Sequence, residues 1–242
     1  MEVIKTISLS LMLSAIPQLL MAQDTFGEMI YSKVKTLFKL NAPTTVNLDG
    51  MTGATTQIDK KKQVEIHIYE DGQGGKAIKT IKMKASGENR WEATVKGDLK
   101  GKFYTFDIGK GETPGVFAKA VGVNGMRGAI VDMAETNPQG WENDQRPVIQ
   151  SPADLVIYEM HWRDFSIDVS SGLKNKGKFL ALTEPKAIEH LKSLGVNAVH
   201  ILPSFDYASV DETKLDTPQY NWGYDPKNYN VPEGSYSTDP YN

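Results

Sequence analysis

The sequence predicts an immunoglobulin-like β-sandwich followed by a unit of strand, helix and parallel strand, the two meeting near Arg146-Pro147. Three observations carry this expectation. Short β-prone runs alternate with glycine-rich turns before that point, two apolar runs flank an amphipathic stretch after it, and residues 203–242 show little periodicity.

At the start of the chain, Lys5 precedes apolar residues 7–13 and 15–22, interrupted by Pro17 and Gln18. The stretch is too short for a membrane span. It predicts an export signal over residues 1–22, ending near Ala22, and hence a secreted or periplasmic protein with no membrane insertion once the signal is removed. A buried N-terminal helix is the alternative. The chain has no cysteine, which rules out lipid attachment at that residue type, disulfides and thiolate chemistry.

Strands are predicted at residues 36–40, 63–69, 77–83, 91–95 and 103–108, each short and either alternating or β-branched. Asp71-Gly72, Gly74-Gly75, Gly97-Asp98 and residues 109–111 supply the turn chemistry between them. Strands and turns at this spacing predict a sandwich domain over residues 27–145. Trp91 and Trp141 are expected to pack inside it, with an exposed binding platform as the alternative.

Residues 155–160 (LVIYEM) form a nearly continuous apolar run, as in a parallel strand buried on both faces. Residues 184–194 place Ala187, Ile188, Leu191 and Leu194 at helical spacing, with Thr183 as the N-cap, Pro185 in the first turn and Gly195 just beyond the end. Residues 197–202 (NAVHIL) make a second strand closed by Pro203, so the three elements predict a right-handed βαβ unit. Residues 203–242 read as one long loop, and loops of that length are functional or disordered.

With 27 Lys and Arg against 30 Asp and Glu, the net charge of -3 shows no basic surplus, which argues against nucleic acid and suits a neutral substrate. The histidines His67, His161, His190 and His200 have no metal-ligand spacing, so no metal site is predicted. Gly122, Gly125 and Gly128 read as a turn rather than a nucleotide loop, because no strand and helix frame them.

The runs YEMHWRDFSID at residues 158–168, EHLKSLGVNAVHILPSFD at 189–206 and YNWGYDPKNYNVPEGSYS at 220–237 resemble the start of the catalytic barrel of type I pullulanases, in the α-amylase superfamily and glycoside hydrolase family 13. APTTV at 42–46, WEATV at 91–95 and AKAVGVNGMRGAIVD at 118–132 are similar to the starch-associated sandwich, a carbohydrate-binding module of family 48, that precedes that barrel. The resemblance implies that residues 151–242 are the first βαβ unit of an incomplete (β/α)8 TIM barrel. It further implies a debranching enzyme that cleaves α-1,6-glucosidic bonds in pullulan, starch or glycogen, with an α-glucan as partner. The family's catalytic carboxylates lie on later strands, so the chain is expected to be an inactive N-terminal part with no catalytic residue of its own. A stand-alone α-glucan-binding module, or a piece of a related isoamylase or branching enzyme, is the alternative. No cofactor is expected, and a calcium requirement of the whole enzyme stays open.

Retaining glycoside hydrolysis needs two carboxyl groups about 5 Å apart. Glu159, Asp164, Asp206 and Asp225 stand at strand ends, but their spacing selects no facing pair, and Asp164 beside Arg163 reads as an ion pair. The best candidate site is the long loop. Sugars offer apolar ring faces and many hydroxyls, and Tyr220, Trp222, Tyr224 and Tyr229, interleaved with Asn221, Asp225 and Asn228, match both. The predicted substrate-binding residues are Tyr224, Asp225, Asn221 and Trp222. By resemblance Tyr224 stacks on the glucose before the cleaved bond and Asp225 helps fix the loop or bonds a catalytic-site neighbour; the alternative for Tyr224 and Trp222 alike is packing at the barrel mouth.

Overall fold

The computed structural model describes residues 6–12, 45–46, 55–56, 63–85, 90–109, 111–145 and 147–241. The fold is mostly sheet with few helices. Its chain gathers into two compact units. Met1–Tyr69, Lys76–Leu99 and Tyr104–Phe117 form the first, and Glu70–Gly75, Lys100–Phe103 and Ala118–Asn242 form the second.

Strands fill the first part of the chain: β1 Thr6–Met12, β2 Thr45–Val46, β3 Thr55–Thr56, β4 Glu65–Tyr69, β5 Lys79–Lys82, β6 Lys84–Ala85, β7 Arg90–Lys96, β8 Phe103–Asp107 and β9 Glu112–Thr113. One sheet runs β1-β7-β6, antiparallel throughout. In another, β4 lies between β5 and β8, and β9 also pairs with β8. Trp91, Ala93 and Val95 are buried while Thr94 and Lys96 are exposed, the period-two pattern of a strand with one face on a core. Ile66 and Ile68 of β4 are fully buried in the same way.

Each predicted strand from residue 63 to residue 108 overlaps an observed one. The strand predicted at 36–40 lies outside the described residues. Residues 6–12, within the stretch read as an export signal, pair along β7 from Thr6↔Lys96 to Met12↔Arg90.

In the second part, β10 Gly128–Ala129 leads to β11 Ile157–Met160, helix α1 Trp162–Ser166, helix α2 Pro185–Ser193 and β12 Ala198–Ile201. Strands β11 and β12 pair in parallel, from Ile157↔Ala198 to Met160↔Ile201, with α2 between them in sequence. The N-cap of α2 is Glu184 rather than Thr183. Its carboxylate accepts from the amides of Lys174 and Asn175, tying down the preceding loop, while Thr183 Oγ1 donates to Leu180 O. Pro185 takes the first helical position and Gly195 follows the helix at φ +71°.

Two expectations fail here for physical reasons. Residues 155–160 are not buried on both faces: Ile157 is 57% exposed and Val199 of β12 is 39% exposed. A two-stranded parallel sheet lacks the flanking strands that would cover it, and α2 fully buries only Ala187. The stretch 203–242 is not one loop, because β13 Phe205–Tyr207 pairs antiparallel with β14 Pro226–Pro232. Register shifts on either side of Asp206, and prolines at both ends of β14, break the alternation that would have announced the hairpin. Trp141 also departs from expectation. It is 56% exposed in a short turn after Gly140, whereas Trp91 is buried.

Candidate functional site

The four predicted residues lie together between β13 and β14, in a loop held by polar side chains. Asn221 Nδ2 donates to Asp225 Oδ1 at 2.6 Å and also to Ser209 Oγ, and Ser209 Oγ donates to Asp225 Oδ2 at 3.0 Å. Asn221 Oδ1 accepts the Gly223 amide at 2.7 Å, closing a tight turn. At Gly223, φ is +94° and a Cβ would overlap the Pro203 carbonyl oxygen, so this position demands glycine. The turn sends Trp222 and Tyr224 outward at 60% and 61% exposure, ring centroids 5.9 Å apart and planes at 79°. Trp222 faces solvent here, edge-on to Tyr224. Ser209 completes the arrangement, and nothing in the sequence pattern marks it.

His161 anchors the loop from below. It is buried at the N-cap of α1, where Nδ1 accepts the Asp164 amide, which leaves the proton on Nε2 to donate to Asn221 O at 2.8 Å. Tyr236 OH lies 3.0 Å from the same nitrogen and accepts from Tyr207 OH at 3.0 Å. Burial pushes the Tyr207 phenol up to about 12 and raises that of Tyr236 as well, so both stay neutral. The ring of His161 lies against Tyr220, centroids 5.3 Å apart. Its role is thus to position the loop. A cavity of about 250 Å³ adjoins, lined by Arg163, Lys178, Tyr207, Gln219, Asn221 and Tyr236 among others.

Two aromatic or polar candidates lie elsewhere. Tyr229 sits on β14 beside Phe205, centroids 6.2 Å apart. Asn228 is buried and donates to Asp206 Oδ2 and Gly125 O.

Three of the four strand-end acids are committed to exposed or loop partners: Glu159 to His200 at 3.0 Å, Asp164 to Arg163 at 3.6 Å, and Asp225 to Asn221 and Ser209. The fourth, Asp206, joins two acids that sequence spacing did not bring together. Ligand oxygens of Asp206, Glu212 and Glu233 lie within 4.8 Å of one another, and the residues are 1%, 3% and 0% exposed. Their separation suits a pair of glycosidic carboxylates, but their burial excludes a sugar from between them. Burial raises Asp206 and Glu233, and it pushes Glu212 up to about 7 against the pull of the Asn124 amide and with the charges of Glu233 and Asp206.

Comparison with known proteins adds a family likeness to this geometry. No family profile matches the chain. The pullulanase of Bacillus subtilis is 41% identical over 180 residues, which is 69% of this chain and 24% of that protein. The chloroplastic pullulanase 1 of Arabidopsis thaliana is 32% identical over 162 residues, 51% of this chain and 17% of that one. Among solved structures, the pullulanase of Paenibacillus barengoltzii in complex with maltohexaose and α-cyclodextrin superposes with a TM-score of 0.71 at 50% identity, covering 74% of this chain and 30% of that one. The chain therefore resembles pullulanases along most of its length while spanning about a quarter of the first of these relatives.

Proposed function

We propose that this chain belongs to a pullulanase-type debranching glycoside hydrolase that cleaves α-1,6-glucosidic bonds in pullulan, starch or glycogen, and that its loop over residues 220–225 supplies an aromatic wall for the α-glucan. One observation carries the reading. A loop locked by Gly223 and Asn221 presents Trp222 and Tyr224 to solvent, in a chain 50% identical over 74% of its length to a pullulanase solved with maltohexaose. Rigid exposed aromatics with hydrogen-bonding neighbours match the apolar face and hydroxyl rim of a glucose ring.

The domain reading belongs to the same proposal. Residues 27–145 are a family-48-like carbohydrate-binding sandwich, supported by the antiparallel strands from β4 to β9. Residues 151–242 are the first βαβ unit of a (β/α)8 barrel, supported by the parallel β11 and β12 and by apolar side chains such as Ile157 and Val199 that further strands would cover. Residues 1–22 direct export to a secreted or periplasmic location, supported by the apolar run after Lys5. Catalysis is assigned to no residue of this chain, since its strand-end acids are each engaged or sealed.

The test is glucan binding to the chain by isothermal titration with maltohexaose, alongside pullulan hydrolysis by the chain and by its gene product extended to the length of its relatives. Binding weakened about tenfold by Tyr224→Ala, equivalent to roughly 1.4 kcal/mol, with hydrolysis by the extended protein alone, is the expected result. Reducing sugar released from pullulan by the 242-residue chain, or an extended protein inert on α-1,6 bonds, would overturn it.

A further inference from the structure

The glycine-rich turn over Gly122, Gly125 and Gly128 has no part in the glucan reading, and it holds the chain's single Asn-Gly pair, Asn124-Gly125. The fold demands both residues of that pair. Asn124 sits at φ +61° and ψ 15°, the one non-glycine residue at positive φ among the described residues, and Asn is among the side chains that tolerate this region best. Gly125 follows at φ +63°, where a Cβ would run into the Asp206 carboxylate and the Asn228 side-chain amide.

An Asn before Gly is poised to react with its own backbone, because no Cβ shields the next amide nitrogen. The Gly125 nitrogen attacks Asn124 Cγ and gives up its proton, the Cγ–Nδ2 bond breaks, and ammonia leaves with that proton. Water then opens the resulting succinimide, at the side-chain carbonyl to give aspartate or at the main-chain carbonyl to give isoaspartate. Hydrogen bonds hold each reacting atom away from this path. The Gly125 amide donates to Gly122 O at 2.9 Å, so the nucleophile keeps its proton and faces away. Asn124 Nδ2 donates to Asp211 Oδ1 at 3.2 Å, and Oδ1 accepts the Glu212 amide at 2.8 Å, which fixes the side chain against the turn at 211 and 212. The main chain is pinned as well. Asn124 N donates to Glu212 Oε2 at 2.6 Å, Lys227 Nζ donates to Asn124 O at 3.2 Å, and Asn228 Nδ2 donates to Gly125 O at 3.0 Å. Rotating the 124–125 peptide toward Cγ breaks several of these bonds together, and all the partners belong to the second unit.

We propose that Asn124-Gly125 is a modification site gated by local opening, locked while the turn is docked and deamidated to aspartate and isoaspartate once it parts from Asp211, Glu212 and Asn228. The conversion runs one way. Aspartate at 124 lacks the Nδ2 donor and sets a carboxylate against Asp211, which the Lys214 ammonium and Thr213 hold well below the usual carboxylate range and therefore charged. Isoaspartate adds a carbon to the main chain, so the paired bonds to Glu212 no longer match. A transient opening is thereby recorded as a permanent loss of contact between this turn and the connection from β13 to β14. The proposal draws nothing from the glucan reading, and its failure leaves that reading untouched.

The experiment incubates the 242-residue chain in mildly alkaline buffer, folded and in urea. The tryptic peptide carrying residue 124 is followed by mass spectrometry, with isoaspartyl methyltransferase labelling to separate the two products. Expected are exchange of ammonia for water at Asn124 in urea, and a rate slower by roughly a factor of ten or more in the folded chain, which reacts only through its open population. Asp211→Ala, which removes the acceptor of Nδ2, should speed the reaction of the folded chain, and Asn124→Asp should melt below the parent. The two parent rates decide the matter even if a variant misfolds. Equal rates with and without urea, no product at residue 124 in urea, an unchanged rate in folded Asp211→Ala, or a folded Asn124→Asp chain as stable as the parent would each overturn the proposal.

Discussion

Asn221 and Asp225, four residues apart on one loop, are joined by a 2.6 Å hydrogen bond from amide to carboxylate, and the two exposed aromatics stand between and beside them. Removing the amide breaks that bond and also the contacts to Ser209 Oγ and the Gly223 amide. Asn221→Ala is therefore expected to weaken maltohexaose binding more than it lowers stability, with a stability cost of about 1 kcal/mol because the site is partly exposed. Calorimetric affinity measured beside a denaturation curve checks this. Equal affinity in parent and variant would show that the loop's polar frame does not position its rings.

Gly223→Ala should be worse for the fold. The added methyl group meets the Pro203 carbonyl at a left-handed backbone position, so a loss of about 1–3 kcal/mol is expected. Gly195→Ala is the matched control: φ is +71°, but nothing lies within 4 Å of the new Cβ. Its cost should stay near 1 kcal/mol. Urea denaturation of both variants separates steric overlap from backbone preference.

In Tyr236→Phe the buried Tyr207 hydroxyl loses the acceptor it reaches at 3.0 Å, and Tyr236 no longer meets His161 Nε2. A destabilisation of about 1–3 kcal/mol follows for groups left unpaired out of water. Because His161 also holds Asn221 O, the Trp222 fluorescence of the folded variant should shift. An unchanged spectrum and unchanged stability would exclude the chain of contacts from Tyr207 to the loop.

Glu112 makes a pH prediction in the first unit. Burial raises its carboxyl, but donors on Thr105, Tyr69 and His67 outweigh burial and hold it below the ordinary 4.5. A carboxyl depressed in the folded state stabilises fully above its unfolded pKa, and that stability is lost as pH falls from about 4.5 through the lower folded value. Melting temperatures between pH 6 and pH 3 should thus fall more steeply for the parent than for Glu112→Gln. Parallel curves would show that the three donors do not favour the charged form.

Much of the strand inventory was legible because one face of each strand is apolar. Trp91, Ala93 and Val95 alternate with polar neighbours, and the burial follows that alternation. The hairpin of β13 and β14 was not legible, since its register slips on both sides of Asp206 and hydrophobic period is lost there. Of the loop site, the aromatic and amide residues were visible as a composition, yet Ser209, which holds the loop from outside residues 220–225, was not.

By itself the sequence determined which segments favour strand, helix or turn, and that residues 220–225 carry rings and amides suited to a sugar, because backbone propensity and side-chain chemistry are local. Only the tertiary structure decided that Asp206, Glu212 and Glu233 meet out of water, and that Asn124, 88 residues upstream, bonds Glu212. Such meetings depend on where folded loops cross, and the energy of a buried carboxylate depends on everything packed around it rather than on its place in the chain.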